Sequence, residues 1–195
     1  MTEGAKAVER PHVPERSTSE ADPRIEPVAA PATAAEEVLV LDFGGQYSQL
    51  IARRIRECGV FSELLPHDTP IEAIRERQPK ALVLSGGPAS VYAEDAPALR
   101  MELLELGIPV LGICYGMQLM ARELGGKVEQ AAAGAFGRTE PTLRDSGGRL
   151  LEGLPAEQQC WMSHRDTVFE PPPSFDALAS SPESPVAAFE HSGRG

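Results

Sequence analysis

Short apolar runs alternate with helical patterns between residues 38 and 113, and this alternation limits the possible folds more than any other feature. Each run has the length and β-branched content of a strand that is covered on both faces of a parallel sheet. Strands that alternate with helices in this way fold into a doubly wound α/β sheet of mostly parallel strands. The predicted strands are 38–41, 61–65, 81–84 and 109–113, and the predicted helices are 46–58, 70–77 and 96–106.

The two ends of the sequence differ from this region. Residues 1–36 are rich in Pro, Ala and Glu and hold almost no large apolar side chains, so they predict a disordered tail. In the later part of the chain, strand candidates lie near 161–162, 177–179 and 186–189. We expect these strands to add an antiparallel extension to the sheet of a single domain over residues 37–195.

A cysteine lies where the fourth predicted strand should turn into a helix. Residues 112–118 read Gly-Ile-Cys-Tyr-Gly-Met-Gln. A sharp strand–helix turn needs small neighbours around its central residue, and Gly112 and Gly116 provide them. The N–H groups at the helix N-terminus favour a thiolate, so Cys114 is predicted to be a nucleophile. The alternative is a buried structural cysteine, because free cysteines are among the most buried residues.

A second loop follows the third predicted strand and reads Ser85-Gly86-Gly87-Pro88. Its two glycines let a ligand approach the backbone and its N–H groups closely. The loop is an oxyanion hole, a phosphate cradle or a plain tight turn. The acidic residue expected near the end of a nucleotide loop is missing, which favours the oxyanion hole. Its donors would be the N–H groups of Gly87, or its neighbour Gly86, and of Tyr115.

Three further segments have rival interpretations. Gln118 lies one turn past the cysteine and is either an amide at the same rim or a solvent-facing helix residue. His164, which follows Ser163 near a strand end, is either part of the site or a loop histidine. Residues 42–44 read Asp-Phe-Gly, but without the other kinase motifs they predict a strand–helix turn. The carboxyl ends of parallel strands lie together, so three loops should meet at one rim: residues 42–46, residues 85–88 and the turn at Cys114.

Composition excludes several classes of protein. The formal net charge is −11 and Lys and Arg do not cluster, which argues against binding nucleic acid. No apolar run reaches the ~18 residues of a membrane span, and no signal peptide is visible. The three cysteines lack metal-ligand spacing, so neither a zinc site nor a disulfide framework is expected. Cys58 and Cys160 are predicted to be core residues, and the protein is predicted to be cytoplasmic.

Four motifs together resemble the class I glutamine amidotransferase domains of GMP synthases, from about residue 38 to the end. The resemblance implies a flavodoxin-like fold and a glutaminase. In such an enzyme Cys114 attacks the side-chain amide of glutamine, forms a glutamyl thioester and releases ammonia. The motifs are Leu-Asp-Phe-Gly-Gly-Gln-Tyr at 41–47, Leu-Ser-Gly-Gly-Pro at 84–88, Gly-Ile-Cys-Tyr-Gly-Met-Gln at 112–118 and Trp-Met-Ser-His at 161–164.

The resemblance also implies a partner. In that family the ammonia passes to a synthetase domain, an ATP-pyrophosphatase that uses ATP and Mg²⁺ to aminate xanthosine monophosphate to GMP in purine nucleotide biosynthesis. No cofactor is implied for the amidotransferase domain itself, and a homodimer would form through the part that this chain lacks. Gly87 and Tyr115 would hold the oxyanion, and Gln118, Ser163 and His164 would bind glutamine or face the partner domain.

The sequence departs from the family near its end. The family's general base and its orienting carboxylate lie in a His-Pro-Glu motif, which the 195 residues do not contain. Glu190 and His191 are adjacent rather than one residue apart, so they are not expected to replace it. We expect a C-terminally truncated fragment with little glutaminase activity. The alternatives are a non-catalytic amidotransferase-like binding module and a related cysteine hydrolase of γ-glutamyl peptides.

Overall fold

The computed structural model describes residues 36–144, 148–191 and 193. The predicted tail lies outside the described residues, apart from Glu36. Within the described part, nine strands and three α-helices follow one another. The strands are β1 (Glu37–Asp42), β2 (Phe61–Pro66), β3 (Ala81–Leu84), β4 (Val110–Gly112), β5 (Lys127–Thr139), β6 (Thr142–Leu143), β7 (Cys160–Glu170), β8 (Asp176–Ser180) and β9 (Ala188–Glu190), and the helices are α1 (Ser48–Glu57), α2 (Ile71–Arg77) and α3 (Tyr115–Glu123).

A four-stranded parallel sheet forms the centre of the fold, in the order β2-β1-β3-β4. Successive residues of a strand point to opposite faces, so β1 contributes to two apolar clusters. In the larger cluster Leu39 lies with Ile74 of α2 and Leu119 of α3. In the smaller cluster the next residue, Val40, packs with Ala52 of α1. Helices therefore cover both faces, and the predicted doubly wound α/β fold is confirmed.

Antiparallel strands follow the parallel sheet, as predicted. A long ribbon pairs β5 with β7, and a further sheet has the order β6-β8-β9. In the ribbon Ala135 lies opposite His164, beyond an irregularity between Gln130 and Ala135. Strand β5 was not among the predicted strands, because its Gly- and Ala-rich sequence has low β-propensity and its pairing with β7 is long-range.

The predicted helix over 96–106 is wrong, because this segment contains a single 3₁₀ turn at Met101–Leu103. The Pro97 carbonyl accepts a hydrogen bond from the Tyr115 hydroxyl at 2.6 Å. Leu99 is buried in the larger apolar cluster. These tertiary contacts outweigh the helical spacing of the segment, since intrinsic helix propensity is a weak term.

Asp42 ends β1 and organises the turn that leads into α1. Its Oδ1 accepts hydrogen bonds from the N–H of Gly44 at 2.9 Å and from the Ser48 hydroxyl at 2.7 Å. Gly44 has a φ of +88°, a conformation that glycine adopts without steric cost. The Asp-Phe-Gly sequence is therefore a strand–helix turn, as predicted.

Candidate active site

Cys114 lies at a sharp turn between β4 and α3. Its φ of +53° and ψ of −109° fall in a region that residues with a side chain rarely adopt. The carbonyl of Cys114 already accepts a hydrogen bond from the N–H of Gln118 at 3.0 Å, so the helix begins directly at the cysteine. Strained backbone of this kind concentrates at functional sites. The structure thus has the strand–helix elbow that the sequence predicts.

Two glycines make this elbow possible. A Cβ atom on Gly112 would lie 2.6 Å from the backbone nitrogen of Met117. A Cβ atom on Gly116 would overlap the carbonyl oxygen of Leu84 on the neighbouring strand. Because both clashes involve backbone atoms, neither can be relieved by rotating a side chain. Both positions therefore require glycine for steric reasons alone.

The Ser85–Pro88 loop lies directly against the elbow. The N–H of Gly116 donates to the Ser85 carbonyl at 3.1 Å. A Cβ atom on Gly86 would lie 3.4 Å from Cβ and 3.9 Å from Sγ of Cys114. A Cβ atom on Gly87 would lie 3.4 Å from Cγ of Tyr115. Gly86 thus brings backbone, rather than a side chain, next to the sulfur, and Gly87 packs against the residue that follows the cysteine.

The turn after β1 completes the rim. The N–H of Phe43 donates to the Ser85 hydroxyl oxygen at 3.0 Å. A Cβ atom on Gly45 would overlap the Gly86 carbonyl oxygen. The three loops that the sequence placed at one rim therefore touch one another in the structure.

A cavity of about 480 Å³ opens at this rim. It is large enough for a small amino acid, since ligand pockets start at about 300 Å³. Tyr115 does not line it, because its ring is buried beneath the elbow, 5.8 Å from the ring of Phe43. The Tyr115 ring is therefore closed to a ligand in this cavity. The other predicted site residues all line the cavity: Gly86, Gly87, Cys114, Gln118, Ser163 and His164.

Gln118 is buried, with 4% of its surface exposed, so it is not a solvent-facing helix residue. Its Nε2 donates to the backbone carbonyl of Asp166 at 2.7 Å. This bond ties α3 to β7 and brings that strand to the cavity wall. Gln118 thus shapes the cavity as well as lining it.

Asp166 was missed by the sequence analysis, although this buried residue, with 3% of its surface exposed, lines the cavity. Its Oδ2 accepts hydrogen bonds from the Ser90 hydroxyl at 2.8 Å and from the N–H of Val91 at 2.7 Å. Its Oδ1 is buried and has no hydrogen-bond partner. The strand period could have found it, because His164 and Asp166 are two residues apart and share a face of β7.

The surroundings of Cys114 oppose the thiolate that the sequence analysis expected. Burial raises the pKa of the Cys114 thiol above its ordinary value, since the buried thiolate loses its hydration. The N–H of Tyr115 lowers this pKa by hydrogen bonding, and the negative charge of Asp166 raises it again. The net effect is a raised pKa, so a base is needed to form the thiolate.

His164 lines the cavity from β7. Its Nδ1 is buried without a hydrogen-bond partner. Burial lowers the pKa of His164, and hydrogen bonding and charge from Asp166 offset part of this effect. The imidazole is therefore neutral at pH 7. Ser163, its neighbour on the strand, is exposed at the cavity mouth.

The two remaining cysteines depart from the prediction. Cys58 is exposed just past the end of α1, so its assignment to the core is wrong. Cys160 is half-buried and lines the cavity at the start of β7.

Across the described residues, no three His, Cys, Asp or Glu side chains lie close enough together to hold a metal ion. None of the described helices is long and apolar enough to cross a membrane.

Glu190 and His191 lie beside a second cavity, of about 630 Å³, which runs along β4 and also reaches Cys114. The Glu190 carboxylate accepts a hydrogen bond from the N–H of Leu150 at 3.0 Å. The His191 ring packs edge-on against Phe175 at 5.0 Å between centroids. The Glu190 and His191 side chains thus each make a contact with another part of the chain, and these contacts are separate from one another.

Comparison with known sequences gives the class of protein. The sequence model of the glutamine amidotransferase class-I family matches residues 39–194. This match includes the elbow, the Ser85–Pro88 loop and the whole cavity. The chain therefore belongs to the class-I glutamine amidotransferase family.

Curated relatives within this family share a more specific name. The chain is 59% identical over 163 residues to "GMP synthase [glutamine-hydrolyzing]" of Mycobacterium tuberculosis, covering 84% of this chain and 31% of that protein. The protein of the same name from Corynebacterium jeikeium is 53% identical over 159 residues, covering 82% and 30%. The chain thus spans about a third of the length of the curated relatives that it matches.

Solved structures agree with this fold. A candidate GMP synthase subunit from Thermoplasma acidophilum superposes with a TM-score of 0.67 at 29% identity, covering 82% of this chain and 80% of that one. A glutamine amidotransferase from Thermotoga maritima superposes with a TM-score of 0.64 at 23% identity, covering 80% and 71%. The second likeness supports the fold alone.

Proposed function

We propose that this chain is the glutaminase part of a GMP synthase. The sulfur of Cys114 bonds to the side-chain amide carbon of glutamine, the C–N bond breaks, and ammonia leaves with the thiol proton, which a base transfers. Water then cleaves the γ-glutamyl thioester, which yields glutamate and restores the thiol. One observation carries the proposal: Cys114 occupies a strained elbow, with the Gly86 backbone against its side chain, in the wall of a cavity.

The oxyanion of the tetrahedral intermediate would be held by backbone donors. The N–H of Tyr115 is the first of α3, and hydrogen bonding from this group lowers the pKa of Cys114. The N–H of Gly87 belongs to the loop that packs against the elbow. Donors that are already in place lower the barrier because they need no reorganisation when the negative charge develops.

The substrate's ammonium group would be recognised by Asp166. A buried carboxylate oxygen without a partner costs free energy, and a bound cation that donates a hydrogen bond removes that cost. Oδ1 of Asp166 is such an oxygen, and Asp166 lines the same cavity as Cys114. Free glutamine carries both an ammonium group and a side-chain amide, so it can contact Asp166 and Cys114 at once. Gln118 supports this arrangement through the Asp166 carbonyl.

The 195 residues alone should have little glutaminase activity. The raised pKa of Cys114 leaves the thiol protonated at pH 7, so the attack depends on a base. The His-Pro-Glu motif that supplies this base in the family is not in the sequence. Loss of a triad member costs several orders of magnitude in rate.

In the whole enzyme, the ammonia would serve a synthetase domain that aminates xanthosine monophosphate to GMP with ATP and Mg²⁺. This part of the proposal is supported by relatives that are named GMP synthase and that are about three times as long as the matched region. We also propose a cytoplasmic location, and dimerisation through the synthetase part.

The decisive experiment measures glutamate release from L-glutamine by two proteins. One is the 195-residue chain, and the other is a chimera in which it is followed by the remaining residues of the Mycobacterium tuberculosis relative. We expect release by the chimera, a loss of at least ~10³-fold in its Cys114→Ala variant, and a change of less than about twofold in Cys58→Ala. A Cys114→Ala chimera that remains active would refute the proposal. Full activity in the 195-residue chain would mean that His164 or His191 acts as the base.

A further inference from the structure

We infer that Ser90 is a positioning residue that sets the place of Asp166 and thereby selects substrates with a free ammonium group. This inference rests on the proposed glutaminase function, and it adds a residue that lies outside all four sequence motifs. Ser90 lies on the loop that continues from Gly86 and Gly87, three residues past the second glycine.

Two donors of this loop converge on one oxygen of Asp166. The Ser90 hydroxyl and the Val91 N–H lie 2.8 Å and 2.7 Å from Oδ2. Since both donors are on Oδ2, the carboxylate cannot rotate to bring Oδ2 into the cavity without losing these two hydrogen bonds. Oδ1 is therefore the oxygen that remains without a partner. The loop thus decides which oxygen is available to a ligand.

Ser90 is itself held in place by its surroundings. Its hydroxyl donates to Asp166, and the same oxygen accepts from the N–H of Tyr92 at 3.2 Å. The Tyr92 hydroxyl in turn donates to the Val128 carbonyl on β5 at 2.5 Å. A rotamer change of Ser90 that releases Asp166 would therefore also cost its hydroxyl the bond from the Tyr92 N–H. A residue held by two hydrogen bonds keeps its charged partner in a defined place.

The same loop also contacts Cys114, where the side-chain amide of the substrate would react. At Gly86 it touches Cys114, and at Ser90 it holds Asp166, 76 residues away in sequence. One short loop thus connects the position of the reacting amide to the position of the ammonium group. We infer that the loop thereby favours a substrate that carries both a side-chain amide and an unmodified α-amino group.

Binding to the Cys114→Ala form of this chain tests the inference without turnover. Trp161 is the only tryptophan of the chain and lines the cavity, so its fluorescence reports binding. The two probes are L-glutamine and 4-carbamoylbutanoate, which is glutamine without the α-amino group. We expect Ser90→Ala to weaken binding of L-glutamine by about tenfold, because Asp166 loses a hydrogen bond to its charge. Binding of 4-carbamoylbutanoate should change less than about twofold, and Ser90→Thr should restore L-glutamine binding.

Other outcomes separate the inference from the function on which it rests. If Ser90→Ala weakens both probes equally, or neither, Ser90 does not act through the ammonium group and the inference is wrong, while the glutaminase function stands. If the parent protein does not prefer L-glutamine over 4-carbamoylbutanoate, the role of Asp166 fails and the inference fails with it. If Ser90→Ala does not fold, Ser90→Cys keeps the size with a weaker donor and must show the same selective loss.

Discussion

At the scale of single residues, Cys114 combines a strained backbone with a buried thiol. The strain places the side chain at the cavity wall, and burial raises its pKa. A thiol with a raised pKa stays protonated at pH 7 and reacts only slowly until a base removes its proton. The dipole of α3 acts in the opposite direction, but here desolvation has the larger effect.

The raised pKa predicts how Cys114 reacts with iodoacetamide. Only the thiolate is alkylated, so the rate should rise with pH up to a midpoint above the ~8.5 of an unperturbed thiol. The measurement is mass spectrometry of the peptide that contains Cys114, with the chain unfolded in urea as the reference. A midpoint in the folded chain at or below that of the unfolded chain would contradict the prediction.

At the scale of secondary-structure elements, the site depends on how closely α3 approaches β3. The first turn of α3 lies against the Leu84 carbonyl, and only hydrogen fits on the Cα of Gly116. The same helix holds β7 through the bond from Gln118 to Asp166. One helix therefore positions both the elbow and the strand that carries the second wall of the cavity.

Gly116→Ala should destabilise the chain by about 3 kcal/mol, because the added methyl group meets backbone that cannot move aside. Gly59→Ala is a matched control, since Gly59 has a φ of +80° but no atoms within 4 Å of an added Cβ. Backbone strain alone should cost about 1 kcal/mol there. Urea unfolding of both variants makes the comparison. Equal losses of unfolding free energy in the two variants would show that α3 packs less closely against β3 than described.

At the scale of the whole molecule, burial is concentrated at the centre of the parallel sheet. Leu39, Val40 and Leu41 of β1 and Leu82 and Leu84 of β3 have no exposed surface. Strand β4 lies at an edge of this sheet, because within the described residues only β3 pairs with it. An unpaired edge leaves backbone groups open to solvent or to another strand.

Amide hydrogen exchange should be slowest in the central strands of the parallel sheet and faster at its edge. Amides of β1 and β3 should exchange only through global unfolding, whereas those of β4 and of the short strands β6 and β9 should exchange through local opening. The test is native-state exchange followed by mass spectrometry at several low urea concentrations. If β4 is as protected as β1, its outer edge is covered in solution and this description of the sheet is wrong.

The sequence alone determined the features that depend on local pattern. Alternating apolar runs and helical stretches predicted the doubly wound sheet, because each element encodes its period within about ten residues. The glycines around Cys114 predicted the elbow, since only small residues fit a turn that sharp. The loops were expected at one rim because parallel strands all end at the same edge.

Only the tertiary structure decided the rest. Residues 96–106 are not helical, because long-range contacts of Pro97 and Leu99 outweigh local propensity. The raised pKa of Cys114 follows from burial, which depends on everything packed around it. The pairing of Ser90 with Asp166 joins residues 76 positions apart, and no local pattern encodes such a contact. Local periodicity thus determined the elements, whereas the electrostatics of the site arose from contacts that form only when those elements pack together.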